Sequence, residues 1–289
     1  MIRELRVLEA HGRHAQAVAF SADGQWLVSA GMDAAIRLWQ LPALTASAAF
    51  LGHLQSVNSL ALSPDNQRLA SCSSDGTTRV WSFPEGRPLH SLAGQRLPRW
   101  SPDGRLMTTL SGTGKLAHWD AATLAPLSEV SVADRRLFCF CFAPSDSELL
   151  VGGTGTIHRV RLHDGSSLGT LRGHGVAVAS LALSPDKAWL ASTGAEGNLR
   201  LWDTGGWQPV RDVPLHAGGV LQLAWLPGSA RVAVSCDMVI QIVPVLEAQP
   251  IQRLEVRIKG LYGLAASPDG RWLANAGADG RLRIWEFAA

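Results

Sequence analysis

The sequence predicts an all-β fold, a seven-bladed β-propeller of four-stranded antiparallel blades, with residues 1–289 as one domain and the ring closed by an N-terminal strand that joins the last blade. Three observations carry this. A closing residue recurs at Trp39, Trp81, Trp119, Val160, Trp202, Val243 and Trp285, at spacings of 42, 38, 41, 42, 41 and 42 residues. A turn of the Ser-Pro-Asp-Gly kind recurs at Ser21, Ser63, Ser101, Ala143, Ser184, Leu226 and Ser267, each 17 or 18 residues before its closing residue. Periods of this length mark repeat architectures. No helical periodicity appears between the landmarks, so each repeat reads as a small sheet.

The second copy shows how the elements arise. Residues 57–62, VNSLAL, alternate as a strand does. Ser63-Pro64-Asp65-Asn66 is a turn, with proline pre-setting φ and asparagine tolerating the left-handed region. Residues 68–72 form the next strand, Ser73-Ser74-Asp75-Gly76 turns, and residues 77–81 return to Trp81. Residues 89–92 make the last strand. β-Branched and aromatic side chains favour the pleated surface.

A four-stranded sheet cannot cover its own two faces, so neighbouring sheets must stack on one another. Phe20, Leu62, Trp100, Phe142, Leu183 and Trp225, just before the first turns, are expected between blades. Each large side chain buried there contributes about 1.5–3 kcal/mol. The last repeat runs out at its third strand, near Phe287, and residues 2–8 align with the outermost strand of other copies. That segment is therefore expected to complete the last blade. The third repeat lacks about four residues between Gln95 and Ser101, which predicts a short, ragged inner strand containing Pro98.

Composition narrows the function. Hydrophobic residues make up 46% and charged residues 17%, with a net charge of +2, so no basic field points to nucleic acid. No apolar run of about 18 residues could span a membrane. The N-terminal MIRELRVLEA carries charge where a signal peptide needs an apolar core, and Cys72, Cys139, Cys141 and Cys236 show no disulfide framework. A cytoplasmic, monomeric protein with buried free thiols is expected.

The recurring Gly-His, strand serine, turn aspartate and closing tryptophan resemble the WD-repeat β-propeller family over essentially the whole chain. The resemblance implies a hydrogen-bonded chain of four side chains inside a blade: His11, Ser29, Asp33 and Trp39 in the first, His53, Ser71, Asp75 and Trp81 in the second, and His174, Ser192, Glu196 and Trp202 in the fifth, with Glu196 where aspartate is usual. The seventh copy has Arg257 and Asn275 beside Asp279 and Trp285. The sixth keeps His216 and Asp237 but closes on Val243. The fourth keeps none of the four.

No catalytic constellation stands out. The histidines at His11, His53, His174 and His216 share one repeat position, and no second ligand pair lies at zinc-like spacing. Gly165-Ser166-Ser167-Leu168-Gly169 matches an esterase pattern that requires a strand-to-helix elbow, whereas here it connects two strands. Asp23, Asp65, Asp103, Asp186 and Asp269 repeat because the turn needs them. No metal and no cofactor is expected.

A chain that is all scaffold acts through its surface. The resemblance implies partner binding across the face carrying the second-turn aspartates, near the channel mouth. Tyr262 and Met32 are the candidate anchors there, with His14 and Arg136 at the rim. Phe138 and Leu221 join them unless they pack between blades. Exposed apolar clusters mark interaction sites, and tyrosine is favoured in them. The expected function is a non-catalytic scaffold for a protein or peptide, with no nucleic acid and no membrane. The alternative is a propeller enzyme or small-ligand binder with its site at the channel mouth.

Overall fold

The protein is described by a computed structural model covering residues 2–134, 136–215, 220–228, 230–236, 238–245, 251–256, 258 and 260–287. Among these residues there are strands and turns but no helix. The strands begin with β1 (Ile2–Glu9), then β2 (Ala15–Phe20), β3 (Trp26–Gly31), β4 (Ile36–Gln40) and β5 (Thr45–Phe50). Next come β6 (Val57–Leu62), β7 (Arg68–Ser73), β8 (Thr77–Ser82) and β9 (Pro88–Ala93), followed by β10 (Gln95–Trp100), β11 (Leu106–Ser111), β12 (Lys115–Asp120) and β13 (Pro126–Ser131). The run β14 (Cys139–Phe142), β15 (Glu148–Gly152), β16 (Thr154–Arg161), β17 (Ser167–Leu183), β18 (Trp189–Gly194), β19 (Asn198–Asp203) and β20 (Pro209–Pro214) follows. The chain continues with β21 (Val220–Trp225), β22 (Arg231–Cys236), β23 (Val239–Pro244) and β24 (Gln252–Glu255), and then β25 (Leu261–Ala266), β26 (Trp272–Gly277) and β27 (Arg281–Phe287).

Each repeat makes an antiparallel meander, as in β2-β3-β4-β5 and β6-β7-β8-β9, because the turns between strands are too short for any other connection. The second strand of each sheet is covered on both faces. β3 and β7 are buried at five of six positions and β26 at all six. This is why those strands read as near-continuous apolar or small-residue runs rather than as alternating ones.

The chain divides into two compact units: Met1–Gly112 with Ala117–Leu127 and Tyr262–Ala289, and Thr113–Leu116 with Ser128–Leu261. In the first, hydrophobic cores lie between successive sheets. Val28, Ile36, Leu38 and Phe50 pack on Val57, Leu69, Trp81 and Phe83, and Ala70, Val80 and Leu92 pack on Trp100 and Met107. In the second, Leu150, Ile157 and Leu171 meet Val178, Leu190 and Trp202, while Leu199, Leu201 and Val213 meet Trp225, Val232 and Val243. Two tryptophans at one repeat position also bond across the gap. Trp100 Nε1 donates to Ala61 O at 3.0 Å and Trp225 Nε1 to Ala182 O at 2.9 Å. Phe20, Leu62 and Leu183 sit at the same position but are only partly buried.

One local expectation is corrected. The inner strand of the third repeat is not short: β10 has six residues, like β6. The missing residues come from the connection, since only Gly94 separates β9 from β10 where 51–56 separate β5 from β6. Leu97, at φ 51°, marks the pairing irregularity between Arg96 and Arg99 that accommodates Pro98. Further on, the fourth and fifth repeats are joined by one continuous strand, since residues 167–172 of β17 complete the meander with β16 while residues 178–183 open the next one against β18. β17 runs on through 173–176, where no proline or Asp-Gly turn interrupts it. Those four residues bulge opposite Gly155, between the pairs Thr156↔Arg172 and Thr154↔Ala177.

β1 pairs antiparallel with β27, from Ile2↔Phe287 to Glu9↔Arg281, and buries Leu8. Removing residues 2–8 strips the ladder from β27 and takes away the buried Leu8 side chain, so Tm should fall by more than about 5 °C. A thermal melt unchanged by the deletion would refute this role for β1.

Candidate functional site

The polar interior of the repeats starts from a hydroxyl out of reach of water. In the second sheet Trp81 Nε1 donates to Ser71 Oγ at 2.8 Å, Ser71 Oγ lies 2.8 Å from His53 Nε2, and His53 Nδ1 lies 2.8 Å from Asp75 Oδ2. With a neutral imidazole protonated on Nδ1, each donor finds one acceptor: indole to hydroxyl, hydroxyl to ring nitrogen, ring nitrogen to carboxylate. Asp75 also accepts from Thr77 Oγ1 at 2.7 Å, Thr77 N at 2.9 Å and Leu54 N at 3.0 Å. Strand pairing brings the serine and tryptophan together, since β7 and β8 set Leu69 opposite Trp81 and Ser71 opposite Arg79. The histidine enters from the connection, where Gly52 (φ 153°) leaves no room for a side chain: a Cβ there would lie 3.0 Å from Arg79 Nη1 and 3.1 Å from the Trp81 ring.

The other two predicted tetrads assemble alike. Trp39 Nε1 donates to Ser29 Oγ at 3.1 Å, with His11 Nε2 at 2.9 Å from Ser29 Oγ and His11 Nδ1 at 2.8 Å from Asp33 Oδ1. Trp202 Nε1 donates to Ser192 Oγ at 2.8 Å, with His174 at 2.7 Å from Ser192 Oγ and 2.5 Å from Glu196 Oε1. The longer glutamate therefore reaches the same imidazole nitrogen. Ser29, Ser71 and Ser192 are fully buried.

Burial drives the His11 and His53 imidazoles below their ordinary 6.5, against the pull of Asp33 and Asp75. Burial alone would raise the Asp75 carboxyl, but hydrogen bonds from Thr77, the Leu54 amide and His53 outweigh it and hold it well below 3.8. Asp33 is lowered in the same way, against burial, by His11 and by Arg37, whose Nη1 donates to Asp33 Oδ2 at 2.7 Å.

Other repeats satisfy these groups with different side chains, and of these the Thr109–Gln95 and Asp134–His158 pairs escaped the sequence reading. In the third sheet Trp119 Nε1 donates to Thr109 Oγ1 at 2.9 Å and Thr109 Oγ1 donates to Gln95 Oε1 at 2.7 Å, so an inner-strand glutamine does the histidine's work. In the last sheet Trp285 Nε1 donates to Asn275 Oδ1 at 2.9 Å. In the fourth repeat an acid–imidazole pair returns with its positions exchanged. Asp134 comes from the connection before β14 and His158 from β16, 3.6 Å apart. His216, Asp237 and Arg257 lie outside the described residues. The first-turn aspartates serve their turns: Ser63 Oγ donates to Asp65 Oδ1 at 2.5 Å while Asp65 Oδ1 accepts from Gln67 N at 3.0 Å, and Ser21–Asp23, Ser101–Asp103, Ser184–Asp186 and Ser267–Asp269 repeat the geometry. Among the described residues no group of three or more His, Cys, Asp or Glu side chains could hold a metal ion.

Three of the candidate surface residues meet in the first unit. His14 precedes β2 and its ring stacks on Tyr262, with centroids 5.5 Å apart and planes 20° from parallel. Gly263 permits this, since a Cβ there would lie 3.0 Å from Ala17 Cα in β2. Met32, in the β3–β4 turn, donates its backbone N–H to His14 O at 2.9 Å and is 38% exposed. At the corresponding end of the second sheet, Ser56 Oγ donates to Asn58 Oδ1 and Asn58 Nδ2 to Ser74 Oγ, each at 2.8 Å. Leu54 beside them is 82% exposed, a residue the sequence reading passed over although an apolar residue directly after Gly52-His53 was its signal. Arg136 and Phe138 belong to the second unit. Arg136 is exposed, with its N–H on Asp134 Oδ1, and Phe138 is 41% exposed, with its N–H on Gly152 O. Leu221 lies on β21, and its side chain is outside what the structure describes.

Comparison with known proteins matches the family profile described as WD domain, G-beta repeat, to residues 2–40, 45–82, 165–203 and 249–286, together more than half of the chain. Each matched segment joins one sheet's outer strand to three strands of the next. Coronin-7 of Bos taurus is 37% identical over 136 residues, which cover 44% of this chain and 15% of the relative. Actin-interacting protein 1-2 of Arabidopsis thaliana is 26% identical over 195 residues, 65% of this chain and 31% of the relative. Protein groucho of Drosophila melanogaster is 24% identical over 191 residues, 64% and 26% respectively. The matches thus span less than a third of each of these relatives.

Two outcomes follow from the buried chains. Ser71→Ala leaves the Trp81 indole and the His53 ring unpaired in the interior, and urea unfolding should show a loss of about 2–4 kcal/mol; a loss below about 0.5 kcal/mol would contradict the linkage. Acid should also destabilise. His11 and His53 take up protons less readily folded than unfolded, so their contribution is complete above 6.5 and declines as pH falls from there. Asp33 and Asp75 act in the same direction below 3.8. Tm should therefore drop between pH 7.5 and pH 5, and a Tm that holds or rises over that range would overturn the assignment.

Proposed function

The chain belongs to the WD-repeat family, and on that premise we propose that it is a non-catalytic scaffold on which a protein or peptide partner docks. Members of this family commonly serve as interaction scaffolds. The chain is read as a single seven-bladed ring over residues 1–289, with the partner lying across the end that carries the Asp33 and Asp75 turns. Tyr262 and Met32 are the anchors and His14 and Arg136 the polar rim, with Phe138 and Leu221 contributing from their own repeats. A cytoplasmic setting suits the four free cysteines.

The observation that carries the reading is the His14–Tyr262 stack beside Met32. A flat aromatic pair held rigid by its backbone, next to an adaptable thioether, is the composition found at the centres of interaction surfaces, where few rotamers remain to be frozen on binding. The buried histidines and carboxylates of the repeats, by contrast, spend their hydrogen bonds on one another, which argues against a catalytic use for them.

Replacing both anchors, M32A with Y262A, should cut partner capture at least about tenfold while leaving the melting curve within a degree or so. Capture that persists in the double variant, read by affinity purification and mass spectrometry, would reject this surface.

A further inference from the structure

One sheet edge lacks the charge and the proline that keep other edges apart. An outer strand presents unpaired N–H and C=O groups along its free side, and proteins blunt such edges with charge, proline or irregularity. β1 carries Arg3, Glu4, Arg6 and Glu9. β9 begins at Pro88 and carries His90; β13 begins at Pro126 and carries Glu129. The outer part of β17 holds Gly169 and Arg172, β20 runs from Pro209 to Pro214 around Arg211 and Asp212, and β24 carries Arg253 and Glu255. β5 is Thr45-Ala46-Ser47-Ala48-Ala49-Phe50, without charge, proline or glycine, and its first five residues are exposed.

β5 closes the order β2-β3-β4-β5, so its side away from β4 is free, whereas the opposite edge of that sheet, β2, packs against β6 and β26. Its pairing with β4 shifts at Ser47, between Leu38↔Ala48 and Trp39↔Ala46. β9 and β20 show the same shift, so the irregularity does not set β5 apart. Beyond its end stand Leu51 and Leu54, the two most exposed large apolar side chains among the described residues.

We propose that β5 is a self-association edge, on which β5 of a second copy of this chain pairs antiparallel about a two-fold axis. Self-complementarity selects that occupant. A two-fold sets a strand against itself, so a charged edge meets its own charges, while the exposed residues of β5 bring only alanine, serine and threonine across the roughly 4.8 Å strand spacing. The same operation carries each Leu51 towards the start of the opposing strand and covers it. A strand pair of this length buries less than the roughly 1,200 Å² of stable complexes, so the dimer is weak and forms as concentration rises. The monomer expected from the sequence is the dilute form.

Sedimentation velocity across a concentration series tests this on the full chain, with A46K/A48K as the edge variant and thermal melting as the control for folding. The expected result is a reversible dimer boundary in the wild type that is lost in A46K/A48K, with melting unchanged. A purified chain that stays monomeric at every concentration, as it would if a strand of a different protein were the natural occupant, overturns the proposal. So does a dimer that survives both lysines.

Discussion

The polar interior of three repeats is organised around hydroxyls that water never reaches. Ser29, Ser71 and Ser192 each accept from an indole and donate to an imidazole, tying the third strand of a sheet to its second and to the connection that enters the sheet. A buried hydroxyl without partners costs about 1–3 kcal/mol. Satisfying it on both sides therefore dictates the residue on the neighbouring strand and the residue in the loop. Stacked sheets supply most of the burial energy, but burial is indifferent to register. The hydrogen-bonded chain is not, because a one-residue slip of β7 against β8 would turn Ser71 to the other face.

The constraint tolerates substitution only where a replacement can complete the pairing. Thr109 with Gln95, and Asn275 opposite Trp285, keep the indole satisfied with other chemistry. Where the tryptophan itself has become Val160 or Val243, no indole remains to be satisfied, and Leu150 at the serine position of the fourth repeat is fully buried. The four family matches cover the three complete tetrads and the Trp285–Asn275 repeat, and none reaches the closing strand of the third, fourth or sixth copy. Sequence signal and polar connectivity thus decay together.

Strands, turns and the three tetrads were legible because each depends on residue types at fixed offsets. Ser63-Pro64-Asp65 must turn, and Trp81 needs a hydroxyl ten residues before it. Gln95 was not legible, since it reaches Thr109 from an inner strand brought close by a shortened connection, a matter of spatial distance rather than offset. The continuity of β17 was equally hidden, because the sequence marks where turns are required but not where they are dispensable. For the surface, topology foretold that His14, Met32 and Tyr262 share one end of their sheets. Their contact depends on how closely β25 lies on β2, which only Gly263 hints at.

The ladder between β1 and β27 has a kinetic meaning. Its partners are some 280 residues apart in the chain, so the segment 2–9 waits through the synthesis of all that lies between before it finds its mate. Closing so long a loop costs more entropy than any hairpin in the molecule, though the cost grows only logarithmically with length. Nascent intermediates therefore carry the segment 2–9 unpaired while other meanders are already packed. Completion of this sheet waits until β27 has been made, and this is the step at which chaperone holding would matter most.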